Sequence, residues 1–217
     1  MVLAYRNQSI NNIKKPSNKV YRFLCANFFK NQQNIRSVPR GVIVFYTALE
    51  DYITNLYLTN SIHSPEQLVL EKVAEKLKVP IRYWKYGSET NKKNGKYIIF
   101  INKHLTPQQK WQEFGHELCH PLRHVGRQEY LPFPFYEMQE RQANSFMYNF
   151  CVPTFMLERM EMKSTYHETA ILIADSFNVE YGFALNRLEM YLRKRDEFAF
   201  YEKMKKEVSS HARTNYL

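Results

Sequence analysis

Three residues in this chain have types and a spacing that could do chemistry together. They are His116, Glu117 and His120, in the stretch Trp111-Gln112-Glu113-Phe114-Gly115-His116-Glu117-Leu118-Cys119-His120. On an α-helix, side chains at i and i+4 point to the same side, one turn apart. His116 and His120 can therefore present two imidazole nitrogens to one metal ion. Glu117 lies about 100° further round the helix, beside such an ion without ligating it. Zinc lowers the pKa of a water it holds toward ~7, and an adjacent carboxylate can take the proton during attack on a peptide carbonyl. His-Glu-x-x-His on a helix is thus the working part of a zinc peptidase.

The flanking residues predict the helix that this chemistry needs. Trp111, Phe114, Leu118 and Leu122 share the segment with the histidines, which makes it amphipathic and half-buried. Thr106-Pro107-Gln108-Gln109 starts it, with Thr as N-cap, Pro at N1 and Gln at N3 as in a capping box. Pro121 removes the N–H that would bond the Glu117 carbonyl, so a kink or a helix end is expected in that turn.

Upstream, Thr47-Ala48-Leu49-Glu50 and Ser64-Pro65-Glu66-Gln67 are capping boxes that open two helices. The second carries Leu68, Leu70, Val73, Ala74 and Leu77 on its apolar face and ends at Val79-Pro80. Residues 81–86 and 96–102 read as strands joined into a hairpin by a polar loop over 87–95. An edge strand beside a zinc helix could pair with an extended substrate backbone. Downstream, residues 126–135 are loop-like and 136–150 are helical, with Glu140 near the first turn. A short helix to about Met162 follows, then one capped by Ser164 and a third over 180–195. The charged tail from Glu202 is expected to fray.

These motifs together resemble the ImmA/IrrE family of metallopeptidases. The resemblance rests on His116-Glu117-Leu118-Cys119-His120, on Glu140-Arg141-Gln142-Ala143-Asn144-Ser145-Phe146 and on Val152-Pro153, in that order, and spans roughly residues 64–192. It implies a zinc-dependent bacterial enzyme of the cytoplasm, often encoded on phages and mobile elements. The best-understood members of that family cut a Cro/CI-type helix-turn-helix repressor. By the same resemblance His116 and His120 are zinc ligands, Glu140 is the third ligand, and Glu117 is the catalytic acid/base. The chain departs from the pattern at Gly115 and Cys119, where the family usually has Ala and Gly, and at Pro121. Cys119 falls off the ligand face and reads as a buried thiol.

His124 competes with Glu140 as third ligand, because 116, 120 and 124 step by four. An unbroken helix would separate His116 from His124 by about 12 Å of rise, whereas zinc holds its ligand atoms at ~2.0–2.2 Å. Pro121 could bend His124 back toward the ion. Glu140 comes from a separate helix that can cross the first, and Ala143 allows close approach. Glu140 is the expected ligand and His124 a supporting or core residue.

Composition bounds the rest. A chain of 217 residues with 44% hydrophobic content can bury a real core. No apolar run approaches the ~20 residues that span a bilayer. Cys25, Cys119 and Cys151 form no CxxC pair, which fits a reducing compartment rather than a disulfide framework. The net charge of +10 comes mostly from the front, where residues 1–49 hold eight of the 31 basic residues and none of the 21 acidic ones. That segment could be a nucleic-acid-binding arm or a targeting peptide. The reading taken is a third one: translation of an A/T-rich upstream region, with a GTG start at Val42 or Val44.

Residues 177–179 could be the turn of a helix-turn-helix. The candidate recognition helix, 180–189, has only Arg187 against Glu180 and Glu189, which is poor for reading a groove. It is similar to the small helical bundle after the peptidase core in this family, and reads as a packing or partner-docking surface.

The expected fold is α+β: a small antiparallel sheet with a zincin-type helix and supporting helices, followed by a small helical bundle. The expected parts are a basic segment over 1–45, a zinc metallopeptidase domain over 46–160 and a helical, helix-turn-helix-like appendage over 161–217. The expected function is cleavage of a repressor encoded nearby, with no membrane partner. A DNA-binding regulator with structural zinc and a non-catalytic antitoxin-like binder are the alternatives. Glu117 separates them, since a structural zinc site needs no carboxylate beside an open position. A chain beginning near Val44 is expected to bind zinc and fold as well as the full-length one. Precipitation, or melting many degrees lower, would make residues 1–43 part of the domain.

Overall fold

Local sequence sets the first helix start. In the computed structural model, which describes residues 46–93, 95–124 and 131–214, helix α1 (Ala48–Thr59) opens on the expected capping box. Thr47 Oγ1 accepts from the Glu50 amide at 3.2 Å, and Glu50 Oε2 accepts from the Thr47 amide at 2.7 Å. The expectations for residues 1–45 lie outside the described residues.

The second box behaves differently. Pro65–Gln67 forms a single 3-10 turn, and α2 (Leu70–Lys76) starts separately after an extended Val69. One continuous helix would set Leu68 and Leu70 about 200° apart. The break lets both turn inward, at 5% and 9% exposure.

The sheet also departs from expectation. It has three strands, β1 (Ile81–Trp84), β2 (Glu89–Lys93) and β3 (Lys96–Asn102), in the order β1-β3-β2. β1 runs parallel to β3, with Ile81 opposite Ile99, and the antiparallel hairpin is β2–β3, with Lys93 opposite Lys96. The fold is α+β as expected, but its sheet is mixed rather than antiparallel, and the expected loop contains an edge strand. Gly95, with φ 75°, has the left-handed backbone that a tight hairpin turn before β3 needs. β2 reads Glu-Thr-Asn-Lys-Lys, so no apolar alternation marks it, and such charge suits an edge.

Helix α3 (Pro107–Arg123) carries the His-Glu-x-x-His motif and starts on its expected box, with Thr106 Oγ1 accepting from the Gln109 amide at 3.2 Å. It ends within a turn of Pro121, at the cap residue His124. Helix α4 (Phe133–Cys151) begins three residues before the expected start, because Pro134 is tolerated in a first turn where its N–H has no partner to lose. Glu140 consequently sits at the end of the second turn.

The short α5 (Thr154–Leu157) is followed by α6 (Tyr166–Phe177), capped by Thr165 with Glu168 instead of by Ser164. Asn178 ends α6 in the left-handed region at φ 51°, which Asn tolerates. Helix α7 (Tyr181–Thr214) continues through the stretch expected to fray, since no Gly or Pro follows Gly182.

One apolar cluster joins these elements. Trp111, Phe114 and Leu118 of α3 are buried against Phe146 and Phe150 of α4, with Tyr57 of α1 stacked on Phe150 at 5.1 Å between centroids. Tyr57 also donates its hydroxyl to the Phe150 carbonyl at 2.7 Å. Ile99 and Ile101 enter from β3, Ile173 and Phe177 from α6, and Ala184 and Leu188 from α7.

A buried polar network ties α7 to the rest. Arg187, 2% exposed, donates to the Val152 carbonyl at 3.1 Å and to Thr154 Oγ1 at 2.8 Å. Thr154 donates to Glu50 Oε1 at 2.7 Å, and Lys194 bonds Glu50 Oε2. Burial raises the Glu50 pKa, but Lys194, Thr47 and Thr154 outweigh it and hold the carboxyl below its ordinary value. The stabilisation is present above the ordinary carboxylate range and is lost as pH falls through the depressed value.

The departure at Gly115 has a packing explanation. A Cβ there would meet Cys151 Sγ at 2.9 Å and Phe150 Cδ1 at 3.2 Å, both fully buried. Gly115→Ala gains about 1 kcal/mol of helix propensity but overpacks the crossing at a cost of about 1–3 kcal/mol. Thermal unfolding should show it destabilising in the natural background and stabilising when Cys151→Ala is also present. Equal effects in both backgrounds would rule out the Cys151 contact as the reason for glycine.

Candidate metal centre

α3 and α4 cross antiparallel, with His116 beside Asn144 and His120 beside Glu140. The crossing is close because Gly115 and the fully buried Ala143 present almost nothing between the helices. Glu140 Oε2 comes within 3.2 Å of His116 Nε2, and Oε1 within 3.9 Å of His120 Nε2. Among the described residues, His116, His120 and Glu140 are the group able to hold a metal ion, with all three ligand atoms within 4.8 Å of one another. Ligand atoms around a tetrahedral zinc at ~2.1 Å are roughly 3.4 Å apart, so two imidazoles and one carboxylate fit it after small adjustments. Their side chains remain 18%, 13% and 27% exposed, so a substrate can reach them.

Protonation suits the same use. Burial first, then the neighbouring His116 and His124, push the His120 pKa down to about 4 against the opposing pull of Glu140. The ring is neutral at neutral pH, the form that ligates metals. The side chain of Asn144 holds the back of His116, with Oδ1 at 3.2 Å from Nδ1. An amide oxygen can only accept, so the proton belongs on Nδ1 and leaves Nε2 to the site.

Glu117 stands next to the group, 8% exposed. Burial raises its pKa, with Glu113 and Glu140 adding to the effect and Thr90 and His116 opposing it. A carboxylate with a raised pKa is better matched to proton transfer near neutrality. The carbonyl of Glu117 would be orphaned by Pro121, but Thr90 Oγ1 of β2 donates to it at 2.7 Å. This bond also lays the edge strand alongside the motif. Cys119 is fully buried, and burial pushes its thiol up to about 12, so no thiolate stands there.

The sequence-predicted residues therefore divide cleanly. His116, His120 and Glu140 come together, Glu117 lies beside them, and His124 is outside the group. Asn144 and Thr90 carry contacts that the sequence reading did not assign. Asn144 had a signal, since it follows Glu140 by four on one helix face. Thr90 had none, because the polar sequence of β2 carries no burial periodicity.

Two crossed helices that bring two histidines and a glutamate to one point, with a buried carboxylate adjacent, form an arrangement of the metallopeptidase kind. Residues 74–189 match the Peptidase M78 family, described as the IrrE N-terminal-like domain. The chain belongs to that family of metallopeptidases. It is 38% identical over 171 residues to the Phage-like element PBSX protein XkdA of Bacillus subtilis (strain 168), covering 79% of this chain and 86% of that protein. It is also 34% identical over 152 residues to the uncharacterized protein YqaB of the same strain, covering 70% and 88% respectively. No helix among the described residues is long and apolar enough to cross a membrane.

Loaded with zinc and desalted, Glu140→Ala is expected to fall well below one zinc per chain, whereas His124→Ala stays near one. Metal analysis giving the reverse order would transfer the third-ligand role to His124.

Proposed function

We propose that this metallopeptidase is a zinc-dependent endopeptidase of the bacterial cytoplasm whose substrate is a regulatory protein, a Cro/CI-type helix-turn-helix repressor of the same phage or mobile element. The convergence of His116, His120 and Glu140 within 4.8 Å carries the reading. The phage-element origin of one relative supports the choice of substrate. In this reading His116, His120 and Glu140 hold the zinc, which supplies Lewis-acid chemistry when bound, activating water and polarising a peptide carbonyl.

Glu117 accepts the proton of the attacking water as its oxygen bonds the carbonyl carbon. It then delivers that proton to the peptide nitrogen as the C–N bond breaks. Asn144 keeps His116 oriented throughout. β2, an edge strand tied to α3 through Thr90, offers its free backbone edge to an extended substrate segment, which would run past Glu117. β3 cannot serve in this way, because it is the central strand.

The DNA-binding alternative finds less support. Arg187, the one basic residue of the candidate recognition helix, spends its guanidinium on Val152 and Thr154 inside the protein. Glu180, at the head of the same helix, accepts from Gln109 and Gln112 of α3 at 2.9 and 3.1 Å. We assign residues 161–217 to packing and partner docking.

Glu117→Gln should retain zinc while cleavage of the neighbouring repressor falls by ~10²–10⁴-fold, measured with purified proteins. Unchanged cleavage would remove Glu117 from the mechanism, and loss of zinc would make it a ligand.

A further inference from the structure

His124, the last histidine of the series stepping by four, stands outside the metal-binding group but directly behind it. Its Nδ1 lies 3.0 Å from Nδ1 of His120, and the two rings are 5.0 Å apart at 62°. Ring nitrogens at that separation share one proton, so one ring donates and the other accepts. His120 turns Nε2 toward Glu140, 3.9 Å from Oε1. If that nitrogen is to offer its lone pair to a metal, the proton of the neutral ring must sit on Nδ1, facing His124. His124 Nδ1 is then the acceptor, and its own proton is on Nε2, which lies 3.9 Å from the Cys119 sulfur.

The backbone holds this arrangement in place. α3 ends at Arg123, two residues after Pro121, yet the His124 amide still donates to the His120 carbonyl at 3.1 Å. The acceptor ring is thus anchored to the residue it serves by both main chain and side chain. His116 is oriented by different means, through the Asn144 amide at 3.2 Å.

We propose that His124 is a positioning residue that accepts the Nδ1 proton of His120 and so keeps the Nε2 lone pair on the metal. This inference rests on the zinc site proposed above. It gives the third histidine a task that needs no ligation, in line with the general use of outer hydrogen-bond partners to fix metal-ligating imidazoles.

The test compares His124→Leu, which leaves no acceptor, with His124→Asn, whose side-chain oxygen can occupy the position of Nδ1. Metal-free full-length protein is titrated with zinc against a chromophoric chelator, and cobalt(II) spectra are recorded for each form. His124→Leu should weaken zinc binding by ~10–100-fold and shift the cobalt bands, with one ion still bound at saturation. His124→Asn should bind zinc within a few-fold of the natural protein and keep its cobalt spectrum, while the metal-free melting temperatures of both variants stay close to it. Natural affinity in His124→Leu, or equal weakening in the two variants, would overturn the proposal. If the natural protein itself takes up no zinc, the zinc reading falls and this inference falls with it.

Discussion

The closeness with which α4 crosses α3 is the constraint on which the site depends. Three ligand atoms must converge within a few ångströms, yet packed helix axes are usually about 8–10 Å apart. Gly115 and Ala143 keep the crossing tight, and Cys151 Sγ fills the space that a larger residue at 115 would claim. Trp111, Tyr57, Phe146 and Phe150 interlock around the same crossing. Burying one such ring contributes about 1.5–3 kcal/mol. A slip of α4 by one residue would carry Glu140 about 1.5 Å along its axis and 100° around it. The aromatic packing therefore sets the placement of Glu140 against His116 and His120 as well as the stability.

A second dependence runs through Pro121. Placed directly after His120, it deprives the Glu117 carbonyl of its helical partner, and an orphaned buried carbonyl is costly. The Thr90 hydroxyl meets that need. One hydrogen bond thus repairs the helix and fixes the edge strand beside the candidate base. The proline also brings the helix to its end at Arg123, which makes His124 the cap.

The C-terminal helices are bound to the core by more than apolar contact. Arg187, Thr154, Glu50 and Lys194 form a chain of polar contacts linking α7 to α5 and to the start of α1. Removing one partner of a buried charged group leaves the other uncompensated, at a cost of about 3–5 kcal/mol. Arg187, the one basic residue of the stretch that looks from sequence like a DNA-reading helix, is engaged in this network.

The sequence by itself determined the motif helix and the capping boxes at Thr47 and Thr106. Helix rise spoke against His124 as a partner of His116 and His120, while the expectation of Glu140 came from the family resemblance, and the structure brings Glu140 to the two histidines. The motif helix, the boxes and the case against His124 are local, or follow from helix rise, and no distant contact is needed to read them. The strand β2 was legible only through Asn94-Gly95, since its polar residues carry no burial pattern. Tertiary structure alone decided that β1 pairs parallel to β3, that Leu68 and Leu70 break their helix to reach one core, and that Gly115 is matched to Cys151. It also decided that Thr90 serves Glu117 and that His124 backs His120. Each of these depends on which surfaces meet, and a capping rule or a periodicity holds no information about the partner that a face will find.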